Sequence, residues 1–139
     1  ARNSHVLTAD LFSSPVEVDS FCREAREFLA GNGLSSEIFP IELLLRESLN
    51  NAIFHGNCSD CRKKVQIVIM IGRKWIKIRV ADEGPGFNFR KARRAIPDEE
   101  SVCERGMAIF SIYADRISFN AKGNSICLWR RRLQEQDCE

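Results

Sequence analysis

Hydrophobic positions along this chain change period several times, and each change marks an element. "VLTADLF" (6–12) reads as a first strand. In "PVEVDSFCREAREFLAGNG", Val18, Phe21, Cys22, Ala25, Phe28 and Leu29 recur at helical spacing, with Pro15 near the start and Gly31 to Gly33 as a stop. The next segment, "SSEIFPIELLLRESLNNAIFHGN", offers Ser35 or Ser36 as a cap. It places Ile41, Leu44, Leu45, Ser48, Leu49, Ala52 and Ile53 on one broad inner face and closes at Gly56. "KVQIVIMIG" and "KWIKIRVAD" then alternate or run apolar as strands do, joined at Gly72-Arg73 by a tight hairpin connection. A break of more than 20 residues follows, "EGPGFNFRKARRAIPDEESVCERG", with three glycines and two prolines; a loop that long in a compact domain is usually functional. "GMAIFSIYADRISFNAKGNSICLWRRRL" supplies a short helix, a strand, a turn at Lys122-Gly123-Asn124 and a last strand, and the tail "QEQDCE" is expected to fray. Two long helices ahead of hairpin strands predict an α+β fold: a two-layer α/β sandwich with a mixed, largely antiparallel sheet covered by helices on one face.

Composition narrows the setting. With 139 residues, 44% of them hydrophobic, the chain is sized for one domain over 1–139 with one substantial core. Twenty-one Lys and Arg against 19 Asp and Glu leave a net charge of +2, too small to argue by itself for nucleic acid or a membrane. No apolar run approaches the roughly 18 residues of a membrane span. The start "ARNSHVLTAD" lacks the apolar middle of a secretory signal, so a soluble, cytoplasmic protein is expected. Six cysteines (Cys22, Cys58, Cys61, Cys103, Cys127, Cys138) are scattered through helix-like and strand-like segments, which favours reduced thiols. Cys58 and Cys61 form a C-x-x-C with His55 three residues earlier, but a structural zinc wants four ligands, usually from two such pairs, and there is no second pair.

The candidate chemistry begins at "ESLNNAIFHGN", where Asn50 and Asn51 interrupt an apolar helix. A buried amide needs partners, so the pair raises a capping question or a ligand question. Glu47 and Asn51 are four apart and project from one helix face a turn apart. The blandest reading is a solvated polar stripe, or an amide satisfying the helix end near Gly56. "VADEGPGF" adds a strand ending in Asp82 and followed by Gly84 and Gly86, a fixed carboxylate beside backbone able to turn tightly and approach a ligand; a plain glycine turn is the alternative. Gly106, in "ERGMAIF", stands where a helix is expected to start, and free N–H groups at a helix start bind phosphate.

In this order and spacing, the three segments resemble the GHKL ATPase superfamily, with its Bergerat nucleotide-binding fold, and within it the short bacterial serine kinases that act as anti-sigma factors. The resemblance covers nearly the whole chain: "RESLNNAIFHGN" looks like the N box, "DEGPGF" like the G1 box and "ERGMAI" like a reduced G2 box. It implies that Asn51 coordinates Mg²⁺ through its side-chain oxygen, that Glu47 is the general base, and that Asn50 is a neighbour without that role. His55 falls within the implied nucleotide-contacting set. Asp82 matches the carboxylate that accepts from the adenine amino group, selecting adenine over guanine, and Gly84 and Gly86 let backbone approach the ring. Gly106 and the N–H groups of Met107 and Ala108 would hold phosphates, with Arg105 neutralising charge. Residues 87–105 would be a short ATP lid, whose Arg90, Lys91, Arg93 and Arg94 face phosphates, an acidic partner surface or solvent. The chain departs from the pattern at Ala108, where a second glycine is usual, and at Asn124, where a threonine is usual. Altered or weakened nucleotide contacts are expected there.

The implied activity is an ATP-dependent protein serine kinase and anti-sigma factor, using ATP/ADP and Mg²⁺. It would phosphorylate an anti-anti-sigma (STAS-domain) antagonist and bind a sigma factor or substitute target. A homodimer through helix one and the first strand is expected, with no direct nucleic acid and no membrane partner. Two rivals stay open. The catalytic domain of a histidine kinase would need a preceding helical hairpin with a phosphorylatable histidine, and His5 sits in no such helix. A nucleotide-binding regulatory module would hold its partner by contact alone.

Overall fold

The computed structural model describes residues 4–85 and 107–132. The expected lid (87–105), the site residues Gly86, Arg105 and Gly106, Cys103 and Cys138, and the tail "QEQDCE" lie outside these. The described strands are β1 (Val6–Phe12), β2 (Lys64–Ile71), β3 (Trp75–Asp82), β4 (Arg116–Phe119) and β5 (Ser125–Arg131). They form one five-stranded sheet in the order β1-β2-β3-β5-β4, and every described pair is antiparallel. Among the described residues three α-helices accompany it: α1 (Pro15–Gly31), α2 (Ile38–Asn51) and α3 (107–113).

Alternation sets the register. Leu11 lies opposite Val65; Ile67 pairs with Val80, and Ile78 with Leu128. A slip of one residue would turn all of these out of the core. With Leu7, Ile69 and Ile76 they join a single cluster with the inner faces of α1 and α2. Val18, Phe21, Cys22, Ala25, Phe28 and Leu29 are buried on α1, as their spacing predicts, and Phe110 brings α3 into the same core. Helices therefore cover one face of the sheet.

Helix starts and ends carry detail that periodicity does not specify. Pro15 is tolerated at the start of α1, and Pro40 in the first turn of α2, because the N–H each lacks has no partner within its helix. Ser35 and Ser36, expected to cap the second helix, are exposed, and no side-chain hydrogen bond caps that start. They lie instead in a 3₁₀ turn (Ser35–Glu37) anchored by buried Leu34 and by Glu37. The Glu37 carboxylate is 3% exposed and accepts from Arg130 Nε at 2.5 Å. Arg130 also donates to the Tyr113 carbonyl at 2.8 Å, so this ion pair ties the entry of α2 to β5 and the end of α3. Among the described residues, no helix is long and apolar enough to cross a membrane.

Candidate functional site

Past Asn51, the second helix does not stop but widens into one π turn, Ala52–Gly56, closed by the Asn57 N–H donating to the Ala52 carbonyl at 2.8 Å. Such turns are rare and recur at functional sites. Glu47 and Asn51 are half-buried on successive turns of one face, about 6 Å apart along the axis. Asn50 and His55 are exposed. The first amide of the pair is therefore solvated, and the second is half-buried.

The helix ends against the end of β3. A Cβ on Gly56 would overlap the Asp82 carboxyl, and one on Gly84 would overlap the Gly56 carbonyl. Only glycine lets these backbones close around the acid. The Gly84 N–H donates to Asp82 Oδ1 at 2.7 Å. Asn124 completes the enclosure: the Asp82 N–H donates to its carbonyl at 2.9 Å, and its Nδ2 donates to the Asp82 carbonyl at 3.2 Å. Asn124 is itself positioned by Asn120, whose Oδ1 accepts from the N–H groups of Gly123, Asn124 and Ser125 around a turn that places Gly123 at φ 81°. Segments far apart in the chain thus converge on Asp82, Gly56 and Gly84 against its carboxyl and Asn124 against its backbone.

Sequence reasoning missed Asn57, the fully buried amide of this region. Its Nδ2 donates to Ser13 Oγ at 3.1 Å and to the Lys64 carbonyl at 3.0 Å, while its Oδ1 accepts from the Glu83 N–H at 2.8 Å. One side chain fastens the end of the π turn to the exit of β1, the start of β2 and the residue after Asp82. The only signal for it was a second amide just after Gly56, which reads as loop.

Burial raises the Asp82 carboxyl above its ordinary range, opposed by the Gly84 N–H and by the charges of Lys122 and Lys63. A carboxylate held this way, partly desolvated and short of donors, is suited to accept a hydrogen bond from an incoming polar N–H. Met107 is half-buried with its side chain against the core, and Ala108 is exposed. Cys58 and Cys61 are exposed free thiols, and among the described residues no group of three or more His, Cys, Asp or Glu is arranged to hold a metal.

The profile of the histidine kinase-like ATPase domain matches residues 12–130. That span includes the π-turned helix, Asp82, Gly84 and Asn124. The chain is also similar to the anti-sigma F factor of Bacillus cereus, with 29% identity over 112 residues, spanning 76% of this chain and 77% of that protein. The anti-sigma F factors of Bacillus thuringiensis and Bacillus mycoides are each 28% identical over the same length, with the same shares of each chain.

Proposed function

The chain belongs to the histidine kinase-like ATPase domain family, a membership that implies ATP binding, and from that premise we propose that it is an ATP-dependent protein serine kinase and anti-sigma factor. The observation that carries this reading is the enclosure of Asp82 by Gly56, Gly84 and Asn124 at the end of the helix bearing Glu47 and Asn51. Asp82 accepts from the exocyclic amine of adenine. Guanine would present a carbonyl there, setting acceptor against acceptor. Gly84 and Gly86 let backbone approach the ring, and His55 and Asn124 line the site. Gly106, with the N–H groups of Met107 and Ala108, receives phosphates, and Arg105 offsets their charge.

The residues fit Mg²⁺ delivered with its nucleotide better than a metal caged by protein. The chain offers one amide oxygen, Asn51, with Glu47 one turn away, and Mg²⁺ characteristically takes its other positions from phosphate and water. Bound Mg²⁺ would supply charge neutralisation. The chain's own part is positioning and proton transfer. As the serine oxygen bonds to the γ-phosphorus and the bond to the ADP oxygen breaks, Glu47 takes the hydroxyl proton. The substrate is an anti-anti-sigma (STAS-domain) antagonist. The competing partner is a sigma factor or substitute target, in keeping with the name anti-sigma F factor that the similar proteins carry. The chain acts as a homodimer through α1 and β1, the strand at one edge of the sheet.

Incubation with γ-labelled ATP, Mg²⁺ and a STAS antagonist tests this reading. Label is expected on an antagonist serine, and Glu47→Gln is expected to slow transfer by roughly 10²-fold or more while nucleotide binding persists. Label on a histidine of this chain, or an undiminished rate in Glu47→Gln, would contradict it.

A further inference from the structure

The helix layer covers one face of the sheet, and the other face carries chemistry that nucleotide binding does not use. Register aligns its side chains in rows. Val6, Met70, Lys77, Trp129 and Arg116 form one row across all five strands, and Thr8, Val68, Arg79, Cys127 and Ser118 form the next. Lys64, Lys77, Arg79, Arg116 and Arg131 give this face five cations, set against the carboxylate of Asp10 and, at the rim, that of Glu83. The ion pairs among the described residues are Arg26–Glu42, Arg46–Asp19, Arg62–Asp60 and Arg130–Glu37, and none involves a cation of the open face. Among the described residues, then, this face carries more positive than negative charge.

Three aromatic residues share this face. Phe12 and Trp75 are 45% and 41% exposed. Lys77 Nζ lies 5.2 Å and the Arg116 guanidinium 4.8 Å from the centre of the Trp129 ring, and Lys64 Nζ lies 5.1 Å from that of Phe12. Phe12 and Trp129 hold cations against their faces, leaving those two rings poorly available to stack on bases; Trp75 is the exposed ring that carries none among the described residues. A second copy of the face, brought up by a two-fold axis, would set cations against cations.

We propose that the open face of the sheet is a docking surface for an acidic, amphipathic protein segment, whose carboxylates pair with Lys77, Arg79 and Arg116 and whose apolar side packs on the exposed Met70 and Trp75. Charge complementarity carries the assignment. The five strands span about 19 Å, the length of roughly 13 residues of helix. The proposal is independent of the kinase reading.

A fluorescein-labelled helical peptide of about 15 residues, with glutamates on one face and leucines on the other, serves as the probe. The same peptide with lysines for glutamates, and an oligothymidylate, are the controls. The acidic peptide is expected to bind, to shift amide resonances along the Thr8–Ser118 row, and to weaken at least about tenfold in Lys77→Gln/Arg79→Gln, a loss the charge-assisted pairing predicts. ATP affinity of that variant is expected to be unchanged, which shows it to be folded. No binding of the acidic peptide, binding indifferent to the substitutions, or resonance shifts confined to the helix layer would overturn the proposal. So would oligothymidylate binding that is as tight and equally sensitive to the substitutions, which would assign the face to nucleic acid.

Discussion

Asp82 is held where burial works against its charge. Its carboxyl is raised above the ordinary range chiefly by desolvation, with the Gly84 N–H, Lys122 and Lys63 opposing. Folding therefore favours the protonated form. That contribution is fully present below the unfolded pKa and is lost as pH rises through the raised folded value, so at neutral pH the ionised acid costs stability. Asp82→Asn keeps an acceptor for the Gly84 N–H and removes the charge. It is expected to raise the thermal midpoint of the nucleotide-free chain at pH 7, with the gain shrinking as pH falls through the carboxylate range. A lower midpoint at pH 7 would show that the charge is stabilised in place. Asp82 stood out in the sequence because glycines follow a strand end, a local pattern. Asn57 did not, because its partners Ser13, Lys64 and Glu83 come together only in the folded chain.

Elements were legible where one period governs them. β1 spans Val6–Phe12, and α1 spans Pro15–Gly31 with the expected buried face. The second helix was legible as an extent, Ser35 to Gly56, but not as three geometries, because 3₁₀, α and π turns share nearly the same apolar spacing over so few residues. Its entry rests on Glu37, whose partner Arg130 lies 93 residues away, beyond any local pattern. Removing one member of a buried pair leaves the other uncompensated. Arg130→Met is therefore expected to destabilise the chain by roughly 1–3 kcal/mol in urea unfolding, less than for a fully buried pair because the Arg130 side chain is 23% exposed, and Glu37→Leu/Arg130→Met to recover most of that loss. A double variant no more stable than the single one would mean that the Arg130 contact with the Tyr113 carbonyl, and not the ion pair, holds α3.

At the scale of the whole molecule, the two faces of the sheet differ in chemistry. The helix side encloses Asp82, and the open side collects cations that form no ion pair among the described residues. Phe12 belongs to the open side: it lies half-exposed beneath Lys64, so it does not fold back onto the core, while Leu7 and Leu11 on the same strand do. With β1 at the sheet edge, the proposed α1–β1 dimer leaves both nucleotide sites accessible and lets one target touch two subunits. Light scattering at micromolar concentration is expected to return a dimeric mass; a monomeric mass unchanged by ADP, ATP or partner would remove the dimer from the account. The central claim is that Asp82 reads adenine, and calorimetric titration with Mg²⁺-ATP and Mg²⁺-GTP tests it most directly. A hydrogen bond to a charged group contributes about 1.5–3 kcal/mol, so ATP is expected to bind about 10- to 100-fold more tightly than GTP, and Asp82→Ala to erase that difference by weakening ATP. Equal affinities for ATP and GTP, or undiminished ATP binding in Asp82→Ala, would contradict the account.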